Sequence, residues 1–175
     1  MLRSDRLLYE ISPRDFNGSN QEVWSAWKHK ANLLLPNFPD EVLQQWVYEH
    51  WKGVISHWGW LDLTQLTFEL KSWPTQKLLD INSTDQATIN KLAERVSHSI
   101  YQRSWLVQQM LKNGTWPIAP IVLSHSDDLF ATRSRRLEAP NTLLEGHHRF
   151  AYLRGLKRCG EPLKSQHKVW VATLS

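Results

Sequence analysis

The residues of this chain best suited to chemistry are His147, His148 and Arg149, which directly follow a single glycine, Gly146. An apolar run over residues 141–144 has the pattern of a strand, and a helical pattern begins after the glycine. Glycine permits a tight turn and a close approach of the backbone. The first amides of a helix have no acceptor within it, so they attract anions. The sequence therefore predicts a cradle for a phosphate group; the alternative is a strand–glycine–helix junction that carries basic residues by chance.

The two basic side chains of the first helical turn each have a binding role and a structural alternative. We expect Arg149 to donate charge-assisted, bidentate hydrogen bonds to a phosphate group. Its alternative is a salt bridge with Glu138, Glu145 or Glu161. His148 either contacts the phosphate or orients the loop. Together with Gly146, these residues form the predicted phosphate- or nucleotide-binding set.

The candidate catalytic residues are His147 and Glu145. His147 could give or take a proton, or it could be a structural histidine. Glu145 could ligate the Mg²⁺ that accompanies a nucleotide, or it could be a carboxylate that favours the positive end of the helix dipole. Adjacent residues at a helix start project in different directions, so we expect no metal site shared by His147 and His148.

The flanking pattern predicts strands and helices in mixed order. Ser83, Thr84 and Asp85 are candidate caps for a long helical pattern, which we expect to break between Ser97 and Ser104 and to end at Gly114. The later elements predicted are a strand over 118–123, a hairpin through 126–128, a strand over 129–132, a loop over 133–140 and a strand over 166–173.

This order resembles the ParB/sulfiredoxin superfamily, whose members have a glycine, a variable pair and an arginine at the start of a helix. The matching segments are Ser99-Ile100, Pro120–Leu123, Gly146–Arg149 and Ala151-Tyr152. The resemblance covers residues 66–175 and implies an α+β fold, a ParB/sulfiredoxin-like mixed sheet with packed helices. It also implies that the glycine segment binds nucleotide phosphates, with ATP or CTP and Mg²⁺ as the expected cofactor.

Three departures from the superfamily limit what the resemblance implies about a reaction. Sulfiredoxins carry a reactive cysteine where this chain has His147, and Cys159 falls at the end of the next helical pattern. Partition proteins continue into a DNA-binding helix-turn-helix, whereas this chain ends at Ser175. Free-serine kinases have a catalytic glutamate after a Pro-Thr pair, and here Gln76 stands at that position and cannot act as a base. We therefore expect the fold to transfer and leave open whether the protein is an enzyme.

The composition of the chain indicates the broad class of protein to which it belongs. The chain has 175 residues, 41% of them hydrophobic, which suits one domain or a domain with an extension. It has no apolar run of membrane-spanning length and no signal-peptide core, so we expect no membrane partner. A single cysteine excludes an internal disulfide, and the cytoplasm is the expected location.

Positive charge is concentrated toward the C-terminus. Residues 131–175 hold nine Lys/Arg against three Asp/Glu, while residues 1–130 hold twelve against fourteen. Such a field favours polyphosphate or nucleic acid. Arg133, Arg135 and Arg136 are the candidate nucleic-acid-binding residues, and the alternative is that they lie on a merely solvated loop.

Residues 1–65 form a predicted helical extension that contains six of the ten tryptophans. We predict a helix from Gln21, capped by Ser19-Asn20, and a second helix capped by Asp40. Tryptophans at helical spacing are typical of a core; the alternatives are a roof over a pocket or a surface for a protein partner. The histidines of this segment lack metal-ligand spacing, so no metal site is expected.

Three functions compete. The first is a nucleotide-binding protein that hydrolyses or transfers phosphate. The second is a nonenzymatic interaction module in which the tryptophan-rich extension binds a protein and nucleotide acts as a switch. The third is a nucleic-acid-binding protein or nuclease that uses the basic C-terminal face. Nucleotide binding is the function that we predict, with catalysis left open.

Overall fold

The computed structural model describes residues 3–98, 103–132 and 135–174. The chain forms two compact units, one of residues 1–68 with 173–175 and the other of residues 69–172. Helices and strands are both present, as the sequence predicts for a mixed fold. No helix within the described ranges combines the length and the apolar character that crossing a bilayer requires.

The first unit is built from helices around buried indole rings. Its helices are α1 Arg3–Glu10, α2 Trp24–Leu34, α3 Asp40–Val42, a π-helical stretch Leu43–Tyr48, α4 Trp51–Trp58 and a 3₁₀ turn Leu63–Gln65. Trp27, Trp46 and Trp58 are buried in its core. The Trp51 indole donates to Leu8 O at 3.0 Å, so an edge tryptophan also secures the end of α1. These rings therefore serve packing, as large apolar side chains generally do.

The predicted cap of α2 is wrong, because the helix begins at Trp24 with Val23 as its cap residue. The preceding segment is instead a loop whose side chains satisfy its own amides. Asn20 N donates to the Asp15 carboxylate at 2.9 Å, and Asn17 N donates to Gln21 Oε1 at 2.9 Å. Such local bonds compete with helix formation, and they hold Gln21 outside α2.

The predicted helix after Asp40 is also interrupted. Asp40 is the first residue of α3 rather than its cap, and Pro39 precedes it. The helix widens into the π-helical stretch Leu43–Tyr48 before α4 begins at Trp51. A π-helix bonds residues five apart and shifts the helical face, which apolar spacing alone does not reveal.

The second unit contains most of the sheet and the helices packed on it. Its elements are β1 Leu66–Pro74, which begins in the first unit, α5 Thr75–Leu79, α6 Gln86–Arg95, α7 Trp105–Asn113, β2 Ile121–Ser124, β3 Leu129–Thr132, β4 Arg135–Leu137, β5 Asn141–Glu145, α8 His147–Arg158 and β6 Gln166–Leu174. The four-stranded sheet has the order β1-β6-β2-β5, and β3 and β4 form a separate ribbon. Strand β2 pairs antiparallel with β5, with Val122 opposite Leu143.

Capping residues set the helix limits of this unit as the sequence predicts. The Asp85 carboxylate accepts from Thr88 N at 3.1 Å at the start of α6. Helix α7 ends at Gly114, which has φ 65°. Helix α6 ends at Arg95, and α7 begins at Trp105. The expected break between Ser97 and Ser104 falls largely on residues 99–102, which, with the matched Ser99-Ile100, lie outside the described residues.

The predicted hairpin between 118–123 and 129–132 is wrong, and so is the loop over 133–140. Strand β3 pairs with β4, with Leu129 opposite Leu137. The physical reason is burial: Val122 is fully buried, so β2 pairs with the equally buried β5, whereas Phe130 of β3 is 65% exposed. Partner choice of this kind depends on the tertiary core, which local pattern does not encode.

Candidate functional site

The predicted strand, glycine and helix occur in the predicted order. Strand β5 ends at Glu145, and α8 begins at His147. Gly146 between them has φ 105° and ψ 28°, a left-handed conformation that side chains other than hydrogen rarely allow. Phe150 N donates to Gly146 O at 3.0 Å, which is the first backbone bond of the helix. As at any helix start, the first amides of α8 have no acceptor within the helix.

Gly146 also packs closely against the protein itself. A Cβ atom at this position would lie 2.6 Å from Pro120 Cβ and 3.1 Å from Arg149 Nε. The residue before β2 therefore covers one side of the turn, and the close backbone approach that glycine permits is used there by Pro120. Any ligand must approach α8 from another direction.

Arg149 is held by the protein's own acceptors. Its side chain is 12% exposed, Nη1 donates to Ile118 O at 3.1 Å, and Nη2 lies 3.4 Å from Glu145 Oε1. The salt bridge with Glu145 that the sequence offered as an alternative is thus present. Because the guanidinium joins α8 to the residues before β2, it fixes the position of the turn.

The two histidines of the first turn differ in exposure. His148 is exposed, with its ring 5.9 Å from the ring of Tyr152, and His147 is partly buried. The first turn of α8 contains no acidic residue. His148 is therefore the basic side chain of this turn that solvent reaches most freely.

Glu145 is mostly covered. Its side chain is 18% exposed and forms the ion pair with Arg149 across one helical turn. The pair neutralises part of the positive charge beside the first amides. A Mg²⁺ ion at this carboxylate would have to share it with the arginine, so the residue fits a helix-start carboxylate better than a dedicated metal ligand.

The three candidate nucleic-acid-binding arginines are not part of this turn. Arg133 lies outside the described residues, and the backbone of Arg135 belongs to β4. The exposed Arg136 forms an ion pair with Asp128. The hydrogen bond from Ala139 N, together with Arg136, keeps the pKa of Asp128 below its ordinary value. Arg136 is thus engaged at the β3–β4 ribbon.

A polar cavity of about 290 Å³ lies beside this ribbon. Its lining residues are Asn82, Ser83, Thr84, Gln86, Arg136, Leu137, Glu138 and Thr142. Thr142 stands near the beginning of β5, whereas Gly146 follows its end. The cavity is therefore a different place from the α8 turn.

A second cavity, of about 260 Å³, is lined by Leu79, Arg154, Lys157 and Arg158. It lies at the C-terminal end of α8. The positive charge of these residues is evident in the sequence, and the helical spacing of 154, 157 and 158 places them on one face. Leu79 comes from α5, and that long-range contact is not evident in the sequence.

The sequence prediction did not single out His167, which the structure buries at 2% exposure. Its Nε2 lies 3.0 Å from Thr75 Oγ1, and its Nδ1 lies 2.8 Å from Thr115 Oγ1. Burial lowers the pKa of His167 below its ordinary value. Strand alternation did carry a signal, because His167 shares a face with Val169 and Val171. Its contacts with the two threonines hold the start of β6 to α5 and to the segment that follows α7.

In the part of the chain that the structure describes, no three His, Cys, Asp or Glu side chains are grouped so that they could hold a metal ion. Comparison of the chain with family models, with curated proteins and with solved structures gave no match. Support for a function therefore comes from the residues and their geometry.

Proposed function

We propose that the protein binds the phosphate groups of a nucleotide at the N-terminal turn of α8. One observation carries the proposal: the left-handed Gly146 joins β5 to a 12-residue helix whose first turn has no acidic residue and exposes His148. Helix amides that lack acceptors within the helix favour an anion, and the macrodipole adds to that preference. An exposed histidine beside them supplies a further donor.

In this proposal Arg149 positions the turn and does not contact the phosphate directly. Its Nη atoms donate to Ile118 O and pair with Glu145, so the phosphate contacts fall to the backbone amides and to His148. The charge of the guanidinium remains within one turn of the ligand and still favours an anion. The role differs from the bidentate contact that the sequence predicted.

The resemblance to the ParB/sulfiredoxin superfamily supports a nucleotide as the source of the phosphate. The glycine, the variable pair and the arginine all stand at the start of α8, where the superfamily binds nucleotide phosphates. ATP or CTP with Mg²⁺ is therefore the proposed ligand. Hydrolysis or phosphoryl transfer would have His147 as its proton donor or acceptor, and binding does not require that step.

The test is a titration of the full chain with ATP, CTP and GTP in the presence of Mg²⁺, followed by thermal unfolding. At about 100 times its Kd, a nucleotide raises the free energy of unfolding by about 2.7 kcal/mol. The variant His148→Glu places a carboxylate in the first turn, where the helix dipole tolerates it, so folding is retained. We expect the Kd of this variant to rise about tenfold, a loss of about 1.4 kcal/mol.

The matched control is His29→Glu, the same change at an exposed position of α2. This control should bind nucleotide like the wild type. If no nucleotide at millimolar concentration shifts the unfolding temperature, or if both variants weaken binding equally, the proposal is wrong. Release of inorganic phosphate, compared between the wild type and His147→Gln, then shows whether a bound nucleotide is turned over.

A further inference from the structure

The cavity at the C-terminal end of α8 brings three cationic side chains together. Arg154, Lys157 and Arg158 line it, with Leu79 as the apolar residue of its wall. Residues three and four apart in a helix share a face, so the sequence of α8 alone places these charges side by side. Like charges at that spacing repel each other. Such a group is stable in an open cavity where solvent or an anion screens the repulsion.

The three cations are held differently. Arg154 is fixed, because its Nη2 donates to Leu79 O at 2.9 Å and to Ile81 O at 3.0 Å. Its Nε is buried with no hydrogen-bond acceptor among the described residues. Lys157 and Arg158 are exposed, and neither side chain has an ion pair or hydrogen bond with any described residue. One rigid cation and two adaptable ones therefore border the same space.

The charges around the cavity affect the pKa of Arg154, as expected for side chains that lie close together. Burial, and then the neighbouring charge of Arg158, lower the pKa of Arg154 from its ordinary value, while Asp80 opposes that shift. The Asp80 carboxylate accepts from Gln76 Nε2 at 3.5 Å and is the acidic group that acts on Arg154. One carboxylate against three cations leaves the cavity with an excess of positive charge.

A favourable interaction with the helix dipole accounts for part of this arrangement. Basic residues near a helix C-terminus are stabilised by the last carbonyl groups. That effect explains why Lys157 and Arg158, in the last turn, carry positive charge. Arg154, one turn earlier, is placed in the same cavity by helical spacing and by its hydrogen bonds to Leu79 O and Ile81 O.

We infer that this cavity is a phosphoryl-binding site, distinct from the turn at Gly146. Its volume of about 260 Å³ is several times the roughly 30 Å³ that one water occupies in the liquid, so a hydrated tetrahedral anion fits. Eleven helical steps separate His147 from Arg158, about 16 Å at 1.5 Å per residue. One phosphate group cannot occupy both places. The phosphoryl group is either free or part of a single-stranded nucleic-acid backbone.

The experiment uses the full chain and two double variants of equal charge. Lys157→Gln with Arg158→Gln removes the two exposed cations of the cavity and leaves the fixed Arg154 in place. Lys91→Gln with Lys112→Gln removes two exposed cations from α6 and α7. The probes are inorganic pyrophosphate, followed by NMR or calorimetry, and a fluorescent single-stranded oligonucleotide, followed by anisotropy at several salt concentrations.

We expect the cavity variant to raise the Kd of at least one probe about tenfold and the control variant to leave it unchanged. Tight pyrophosphate binding identifies a free phosphoryl ligand. Oligonucleotide binding whose salt slope falls by about 1 to 2 in the cavity variant identifies a backbone ligand. The loss should persist when His148→Glu is added, which separates this site from the α8 turn. If neither probe binds at millimolar concentration, or if both double variants behave alike, the inference is wrong.

Discussion

Glu145 and Arg149, which precede and follow Gly146 in the chain, form an ion pair in which Oε1 lies 3.4 Å from Nη2. Both side chains are less than one fifth exposed, so water screens the pair only in part. The pair links the end of β5 to the first turn of α8. It also places a negative charge next to the amides that we propose bind phosphate.

Glu145→Gln should therefore have opposite effects on two quantities: it should destabilise the fold and strengthen nucleotide binding. Loss of the charged pair should lower the free energy of unfolding by about 1 kcal/mol. Removal of the carboxylate should lower the Kd of a nucleotide about two- to fivefold, because a charge at a helix start contributes roughly 0.3 to 1 kcal/mol. Urea unfolding and nucleotide titration measure the two effects.

The control for that charge change is Glu94→Gln at an exposed position of α6. This control variant should alter neither the free energy of unfolding nor the Kd of the nucleotide. A weaker affinity for Mg²⁺–nucleotide in Glu145→Gln, with affinity for the metal-free nucleotide unchanged, would instead identify Glu145 as a metal ligand.

Gly146→Ala should destabilise the protein through both backbone strain and a clash with Pro120. The added Cβ would meet Pro120 Cβ at 2.6 Å at a φ of 105°. Gly160 provides the matched comparison, because it has φ 78° and no atom within 4 Å of an added Cβ. We expect Gly160→Ala to cost about 1 kcal/mol and Gly146→Ala about 1 to 3 kcal/mol more. If urea unfolding shows that the two variants lose the same free energy of unfolding, Pro120 moves away from the added Cβ without an energetic cost.

The parts of the fold with strong local signals were predictable from the sequence. The glycine turn before α8, the Asp85 cap and the strand over 166–173 each depend on residues close in sequence. Local chemistry decides these features: a carboxylate caps nearby amides, and glycine accepts a positive φ.

Features that depend on distant residues were not predictable. The pairing of β3 with β4 follows from competition for the buried β2. The π-helical stretch Leu43–Tyr48 contains four buried residues, but the apolar spacing of the sequence does not distinguish it from an α-helix. Arg149 shows the same limit at the candidate site. Its sequence position suggests a phosphate ligand, but the carbonyl of Ile118, thirty-one residues earlier, accepts from its guanidinium.

His167 should make stability depend on pH. The Thr75 hydroxyl donates to Lys164 O at 2.9 Å, so it accepts from Nε2–H of a neutral His167, and Nδ1 accepts from Thr115. Burial holds the pKa of His167 below its unfolded value of about 6.5. The folded state therefore binds fewer protons, and stability should be full above about pH 6.5 and fall as the pH drops below it.

The variant His167→Gln removes the titrating group and keeps an amide donor and acceptor. It should be less stable than the wild type at about pH 8, by roughly 1 to 2 kcal/mol. The difference should shrink as the pH approaches about 5. Urea unfolding across this range measures it, and His29→Gln serves as the exposed control. If the free energies of unfolding of the wild type and His167→Gln change with pH in parallel, His167 is not the group responsible for the pH dependence.

Glu22 should contribute stability to the first unit in a lower pH range. Its side chain is 9% exposed, and Lys30 Nζ lies 2.7 Å from Oε2. Burial alone would raise the pKa of Glu22, but hydrogen bonds from Lys30 and from Arg14 N outweigh it and lower the pKa. The folded state therefore favours the ionised carboxylate, so this stability is present above an unfolded pKa of about 4.5 and is lost as the pH falls through the lower folded value.

Glu22→Gln should reduce stability near neutral pH by about 1 kcal/mol, because the amide keeps the shape but loses the charge-assisted bond. The loss should disappear as the pH falls through about 4. The exposed Glu49 offers the control, since Glu49→Gln makes the same charge change at a residue without an ion pair to any described residue. Thermal unfolding of the two variants at several pH values measures the difference. A Glu22→Gln deficit that stays constant with pH would mean that packing, and not ionisation, accounts for it.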